Sequence, residues 1–252
     1  MHLAGKMFWA LSHPRSALAN VVSRVRYPAY KYRVGPPEMY EALGLHQFEL
    51  LRGCGLRPNH SLLDIGCGSL RAGKFFIRYL DRGNYAGIEP DRRILQEGLR
   101  YNLDPRTIEE KNPAFSNDNQ FTLTVFNRRF DFILAHSILT HAAQHQIEKC
   151  FAQAQQVVKA TSLFFANYNK GESDYSGANW IAPGGHHDGG VHGAVSYTFA
   201  CLSCLAQRAG FQCVDLHVAH PIDSFWIALG EPGYLERLEG RIGCHRFSIA
   251  RT

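Results

Sequence analysis

Within this 252-residue chain, Leu62-Leu63-Asp64-Ile65-Gly66-Cys67-Gly68-Ser69, with Gly73 after it, constrains the fold most. The apolar stretch Ser61 to Ile65 reads as a short buried strand. Glycines follow at 66, 68 and 73, and an apolar helical pattern then runs to about Leu80. A strand that ends in a glycine turn and re-enters as a helix is an α/β unit. Gly66 and Gly68 let a ligand approach the backbone without meeting Cβ atoms. The first amides of the helix are free donors for an anionic group, and ligands of such sheets bind at the carboxyl ends of the strands.

The same alternation continues along the chain and predicts an α/β sheet. Helices are expected over Glu38–Cys54, Asp91–Tyr101, Ile147–Val158 and Tyr197–Ala209. Strands are expected over Tyr85–Ile88, Phe132–Ala135 and Ser162–Ala166, with a final pair at Phe211–Val218 and Ser224–Leu229. A third strand belongs near Pro113–Asn117, although Phe121–Phe126 alternates better. Residues 168–195 form a long loop with seven glycines, together with Tyr175, Trp180, His186, His187 and His192. A loop of that length in a compact domain is functional or disordered. Its aromatic and imidazole groups suit a lid over a small-molecule pocket.

Charge divides the chain in two. The formal net charge is +5, yet the first 37 residues hold six of the 27 basic groups and none of the 22 acidic ones. Residues 1–37 are therefore a basic N-terminal arm, and residues 38–252 are a nearly neutral domain. A broad basic face for nucleic acid is not expected there. In the arm, Leu18, Val21, Val22 and Val25 fall at helical spacing. Docking on the chain's own domain is favoured over a membrane-surface helix, a targeting segment or a lid. No apolar run approaches the ~18 residues of a membrane span. Seven scattered cysteines argue against a disulfide scaffold. Cys201 and Cys204 are expected as two buried thiols on one helix face rather than as a redox or zinc pair. Without a readable export signal, and with cysteines that look reduced, a cytoplasmic location is expected.

The identity of the nucleotide is the next question. A dinucleotide fingerprint would place glycine or alanine at 71, where this chain has Arg71, and favours an apolar residue where it has Asp64. A phosphate P-loop is excluded, because no Gly-Lys-Ser/Thr follows. Glu89 ends the second strand and can accept hydrogen bonds from both ribose hydroxyls. With Asp64 and the Gly66-Cys67-Gly68 turn, it selects S-adenosylmethionine over NAD.

These residues resemble motif I of the class I S-adenosylmethionine-dependent methyltransferases. Tyr85-Ala86-Gly87-Ile88-Glu89-Pro90-Asp91 resembles the family's second motif, and Asn117-Asp118 its acid-bearing turn after the third strand. Phe130 to Ser137, with Leu139-Thr140-His141, resembles its fourth motif and the helix after it. The resemblance spans about residues 40–230. It implies a Rossmann-like three-layer sandwich with a mostly parallel seven-stranded sheet and a C-terminal antiparallel strand. It also implies roles. Gly66, Cys67 and Gly68 would line the methionine part of S-adenosyl-L-methionine, with Asp64 near its amino group. Glu89, with Pro90 beside it, would hold the ribose, and Asp118, beside Asn117, would receive the adenine amino group. His136 would lie near the reacting methyl. Lys159-Ala160-Thr161 replaces the family's usual glycine pair, so a rearranged turn is expected there.

Methyl transfer is an in-line displacement, in which the protein aligns the nucleophile and excludes water. An oxygen acceptor of high pKa also needs a base, and His141, His187 and His136 are the candidates. Asp131 is expected to hold the start of its strand, and Arg71 either pairs with a substrate anion or is a solvated first-turn arginine. His186-His187-Asp188 with His192 suggests a metal by type, but adjacent side chains diverge, glycines flank them and no metal is expected. A small or medium-sized organic acceptor, methylated at O or N, fits the neutral domain and the aromatic loop. The alternatives are a catalytically silent binding subunit of the same fold, a nucleic-acid methyltransferase and, third in class, a dehydrogenase. The arm leaves peripheral membrane contact open.

Overall fold

A computed structural model describes residues 27–182, 193–216, 218, 220–222 and 224–235. Its sheet has seven strands: β1 Leu62–Ile65, β2 Tyr85–Ile88, β3 Ala114–Ser116, β4 Phe130–Ala135, β5 Val158–Tyr168, β6 Gln212–Leu216 and β7 Phe225–Gly230. Their order is β3-β2-β1-β4-β5-β7-β6. All pairings from β3 through β5 are parallel, and β7 runs antiparallel to both of its neighbours. This is the mostly parallel Rossmann-like sheet with a C-terminal antiparallel strand that the sequence led us to expect. The helices are α1 Ala29–Tyr32, α2 Tyr40–Gly53, α3 Gly73–Tyr79, α4 Arg92–Asn102, α5 Pro105–Lys111, α6 Gln144–Val157 and α7 Phe199–Arg208.

Strand alternation divides the core. Leu63, Ile133, Phe164 and Ile227 face a cluster completed by Ile147, Phe151, Leu202 and Leu205 of α6 and α7. Their neighbours Leu62, Leu134, Phe165 and Trp226 face the opposite cluster, with Leu50, Leu51, Phe76 and Leu95 of α2, α3 and α4. The fold is therefore helix, sheet, helix. On the same parity Asp64 and His136 belong to the α2 side. The sheet order reverses between β1 and β4, so a crevice opens at their carboxyl ends.

Local chemistry sets several element ends. The Asp91 carboxylate accepts the backbone N–H groups of Arg93 and Ile94 and caps α4. Asp104 caps α5 through Thr107, and Thr198 caps α7 through Cys201. Asp131 does hold the start of β4: its carboxylate accepts the backbone N–H and the hydroxyl of Ser61 and pairs with Lys159 at 2.7 Å. Lys159-Ala160-Thr161 lies in the first part of β5, where the pairing with β4 shifts register.

Three expectations change. The third strand is the short Ala114–Ser116, whereas Phe121–Phe126 turns back, with Phe121 at φ 55°, into a 3-10 turn at Leu123–Phe126. That turn buries Leu123 and sets Phe126 against Phe130 instead of adding a strand. Cys201 and Cys204 are not two buried thiols: Cys201 is half-buried and Cys204 is exposed, because α7 presents Leu202, Leu205 and Ala206 to the core instead. Arg71 is not a solvated arginine; it is buried. The arm's apolar positions Leu18 to Val25 lie outside the described residues.

Candidate cofactor and acceptor site

At the end of β1 the chain passes through two glycines in the left-handed region, Gly66 at φ 71° and Gly68 at φ 56°. The amides of Gly66 and Cys67 both donate to the Ile88 carbonyl of β2, which holds the turn against the next strand. The turn is also gripped from outside. A Cβ at Gly98 of α4 would lie 2.6 Å from the Ser69 carbonyl oxygen, and one at Gly44 of α2 would strike the Arg71 carbonyl. Two helix glycines thus let α2 and α4 close on residues 69–71.

Glu89 follows β2 and reaches across to this turn. Its carboxylate accepts the Gly68 amide at 3.0 Å and the Asp91 amide at 2.9 Å. Burial raises its pKa, against these two bonds. Pro90 beside it is exposed. Asn117 donates from its side-chain amide to the Glu89 carbonyl at 2.7 Å, so the turn after β3 is tied to the end of β2. The Asp118 carboxylate accepts the backbone amides of Gln120 and Thr122, and these bonds lower its pKa against partial burial.

Asp64 lies beneath the turn, 4% exposed, and accepts the Tyr85 hydroxyl at 2.8 Å. Burial pushes its carboxyl up to about 7, although the Tyr85 bond and the Arg71 charge both pull the other way. Cys67 is buried as well, with its thiol pKa raised well above the ordinary range by burial.

Residues 27–37 pack over this region. Val34 accepts Arg71 Nη1 on its carbonyl at 2.7 Å, and Tyr30 accepts the Ser69 hydroxyl at 2.6 Å. Tyr30 stacks on Tyr101 of α4, and Tyr40 bonds to the Ser69 carbonyl. A Cβ on Gly68 would come 2.9 Å from Val34 Cγ1.

His136 follows β4 and is buried. Arg71 Nη2 stands 3.0 Å from its Nδ1, and His220 Nε2 3.1 Å from its Nε2. The next residue, Ser137, adopts φ 60° and donates its amide to Asn167, which bonds to Ser224; this polar chain joins the ends of β4 and β5 to the start of β7. His141 belongs to another neighbourhood. Its Nδ1 donates to the Ile181 carbonyl at 2.8 Å, its backbone carbonyl accepts Ile181 N–H, and Thr140 accepts Val195 N–H. Residues 140–141 thereby fasten the glycine-rich loop at Ile181 and at Val195. His187, His186, Asp188 and His192 lie outside the described residues. Among the described residues no group of three or more His, Cys, Asp or Glu side chains could hold a metal ion.

His46, His220 and Trp226 are part of this neighbourhood and were missed in the sequence. They gather around His136 with ring centroids 5.3–5.6 Å apart for His136, His220 and Trp226. No local spacing marks them, since they come from α2, the β6–β7 connection and β7. The one usable signal is the even parity that Trp226 shares with the α2 side of the sheet.

No protein-family model matches the chain, and no curated protein matches it in sequence. Solved structures do. The magnesium protoporphyrin IX methyltransferase of Synechocystis PCC 6803, with bound S-adenosylmethionine, superposes with a TM-score of 0.58 at 10% identity, over 87% of this chain and 94% of that one. The glycopeptide N-methyltransferase MtfA, with bound S-adenosylhomocysteine, gives 0.57 at 11% identity, over 76% of this chain and 90% of that one. The CcbJ methyltransferase of Streptomyces caelestis gives 0.56 at 13% identity, over 83% and 94%. At such identities the likeness speaks to architecture: this chain has the Rossmann-like fold of the class I S-adenosylmethionine-dependent methyltransferases.

Proposed function

We propose that the chain is an S-adenosylmethionine-dependent methyltransferase that acts on a small or medium-sized organic acceptor at oxygen or nitrogen. The observation that carries this reading is the Glu89 carboxylate, set by the Gly68 and Asp91 amides at the carboxyl edge of β2 beside a glycine turn. The residues present fit the cofactor. Gly66 and Gly68 offer a surface without Cβ atoms, and Asp64 is a buried carboxyl poised to pair with an ammonium. Glu89 would accept the ribose hydroxyls, Gly66, Cys67 and Gly68 would line the methionine part, and Asn117 and Asp118 would stand at the adenine end.

Bound S-adenosylmethionine would supply a sulfonium methyl, an electrophile strong enough that the protein has mainly to align and desolvate the acceptor. The neutral domain supports an uncharged or modestly charged organic acceptor over a polyanion. Two of the similar structures are named for organic acceptors, magnesium protoporphyrin IX and a glycopeptide, which supports the same class. The bonding of His141 favours a part in anchoring the loop over a part as base.

Calorimetric titration tests the reading. S-adenosylmethionine and S-adenosylhomocysteine should bind, and NAD should not. Turnover on a panel of phenols, amines and hydroxylated scaffolds then separates an enzyme from a silent binding subunit. Binding of NAD in preference to S-adenosylhomocysteine would sink the proposal.

A further inference from the structure

Tyr85 reaches the acid of the glycine turn from the neighbouring strand. In the parallel pairing of β1 with β2, Tyr85 lies opposite Leu62 and Gly87 lies opposite Asp64. Positions 85 and 87 share one face of β2, because side chains alternate along a strand. Gly87 places no side chain on that face; a Cβ there would stand 2.9 Å from Cys67 Sγ and 3.1 Å from the Phe115 ring. The buried Tyr85 ring, edge-on to Phe115, therefore runs along the sheet toward position 64. Its hydroxyl donates to Asp64 Oδ2 at 2.8 Å.

Gly73 completes the seat. A Cβ at this first residue of α3 would lie 2.6 Å from the Tyr85 hydroxyl oxygen and 2.8 Å from Leu70 Cδ2. Gly73 follows the two turn glycines in sequence but serves a different end, since it makes room for the phenol. Positions 73, 85 and 87 thus converge on one hydrogen bond.

The other titratable and charged groups facing Asp64 are Arg71, whose charge favours the carboxylate, Glu89, whose charge opposes it, and the Cys67 thiol. Arg71 acts across space, with its own hydrogen bonds directed to the Val34 carbonyl and to His136. Among the described residues, the Tyr85 hydroxyl is the sole hydrogen-bond donor to the Asp64 carboxylate. Burial raises the phenol's pKa well above its ordinary value, so it stays a donor throughout the neutral range. A hydrogen bond donated to the charged form of an acid favours that form. Asp64 Oδ1 has no donor among the described residues, yet it is not one of the side-chain oxygens sealed from solvent without a partner. It keeps a small solvent-facing surface on a residue that is only 4% exposed.

We propose that Tyr85 is a positioning residue: seated by Gly73 and Gly87, it holds Asp64 by Oδ2 and leaves Oδ1 for the ammonium of the methionine part of the cofactor. The proposal rests on the methyltransferase reading for the identity of that ammonium; the coupling of Tyr85 to Asp64 stands without it. Tyr85 touches no reacting atom. Without its hydroxyl, Asp64 loses the hydrogen bond that favours the carboxylate, and the carboxylate forms only at higher pH.

Carboxyl 13C NMR of the full chain, labelled with 13C-aspartate and assigned with Asp64→Asn, reads the Asp64 titration without ligand. Tyr85→Phe keeps the ring and removes the hydroxyl. It should move the Asp64 midpoint up by about one pH unit. An unmoved or lowered midpoint would overturn the proposal. Gly73→Ala crowds the same hydroxyl from the other side and should move the midpoint in the same direction; it decides the matter if Tyr85→Phe does not fold.

S-adenosylhomocysteine is then titrated calorimetrically from about pH 5.5 to about pH 7.5, where its α-amino group is an ammonium. In Tyr85→Phe the affinity should be roughly fivefold weaker at about pH 7, and its rise with pH should move up with the Asp64 midpoint. In an Asp64→Asn background the same substitution should weaken binding by less than about twofold, because the group it acts through is gone. An unmoved pH profile, or an equal loss in both backgrounds, would reduce Tyr85 to packing and overturn the positioning role. Failure of the wild type to bind S-adenosylhomocysteine, with the Asp64 midpoint still moved by Tyr85→Phe, would sink the methyltransferase reading and the ammonium with it, and leave the Tyr85–Asp64 coupling standing.

Discussion

The Gly68 amide donates to the Glu89 carboxylate at 3.0 Å, a bond between residues 21 positions apart that joins the turn after β1 to the end of β2. It fixes the carboxylate's direction before any ligand arrives. Such preorganisation reduces what binding must spend on ordering side chains.

Glu89→Ala should weaken S-adenosylhomocysteine binding by roughly tenfold to a hundredfold, the loss expected for hydrogen bonds to a charged acceptor. Stability should fall by only about 1 kcal/mol, because the Gly68 and Asp91 amides lose one acceptor. Calorimetry and urea denaturation read the two effects separately. Undiminished affinity would remove Glu89 from the site.

Asp64 should make stability depend on pH. Its folded pKa, about 7, lies above the ordinary value of 3.8, so the folded chain holds the proton more tightly than the unfolded chain. The contribution is fully present below pH 3.8 and is lost as pH rises through about 7. The loss is about 4 kcal/mol at 1.36 kcal/mol per unit. It should show as an advantage of Asp64→Asn over wild type in denaturant stability that grows from acid to alkaline pH and levels off above about 7. A pH-independent difference would contradict it. By the same linkage, a cofactor ammonium should bind better above about pH 7, and binding below that pH should release a proton.

The glycine grip should be intolerant of a methyl group. Gly98→Ala gains about 1 kcal/mol of helix propensity. Its Cβ would stand 2.6 Å from the Ser69 carbonyl oxygen, and backbone cannot step aside as a side chain can. Overpacking of this kind costs about 1–3 kcal/mol, so the net change should be destabilising or near zero, with the turn displaced. Weaker S-adenosylhomocysteine binding would register the displacement. A stabilised variant with native affinity would refute the grip.

Thiol reactivity should follow burial. Cys204 is exposed on α7, whereas Cys54, Cys67 and Cys150 are buried, and burial pushes Cys54 and Cys150 up to about 12. Among the described cysteines an aromatic disulfide reagent should label Cys204 first, and Cys204→Ser should lose that fast equivalent. The three buried thiols should react only on unfolding.

The sequence by itself determined what depends on near neighbours. The strand from Leu62 and its glycine turn, the strand Tyr85–Ile88, the capped helix after Asp91 and the position of Glu89 are all set by patterns a few residues long. Alternation and capping are local rules, so they can be read without the fold. The tertiary structure decided what depends on partners far along the chain. Ala114–Ser116 is a strand because β2 offers it an edge, with Phe115 passing over Gly87, while the better-alternating Phe121–Phe126 is drawn off to cover the core. Arg71 reads as an ordinary first-turn arginine until residues 34 and 136 close around it. The imidazoles of 46, 136 and 220 have no shared period, and only the crossing of α2, β4 and the β6–β7 connection brings them together.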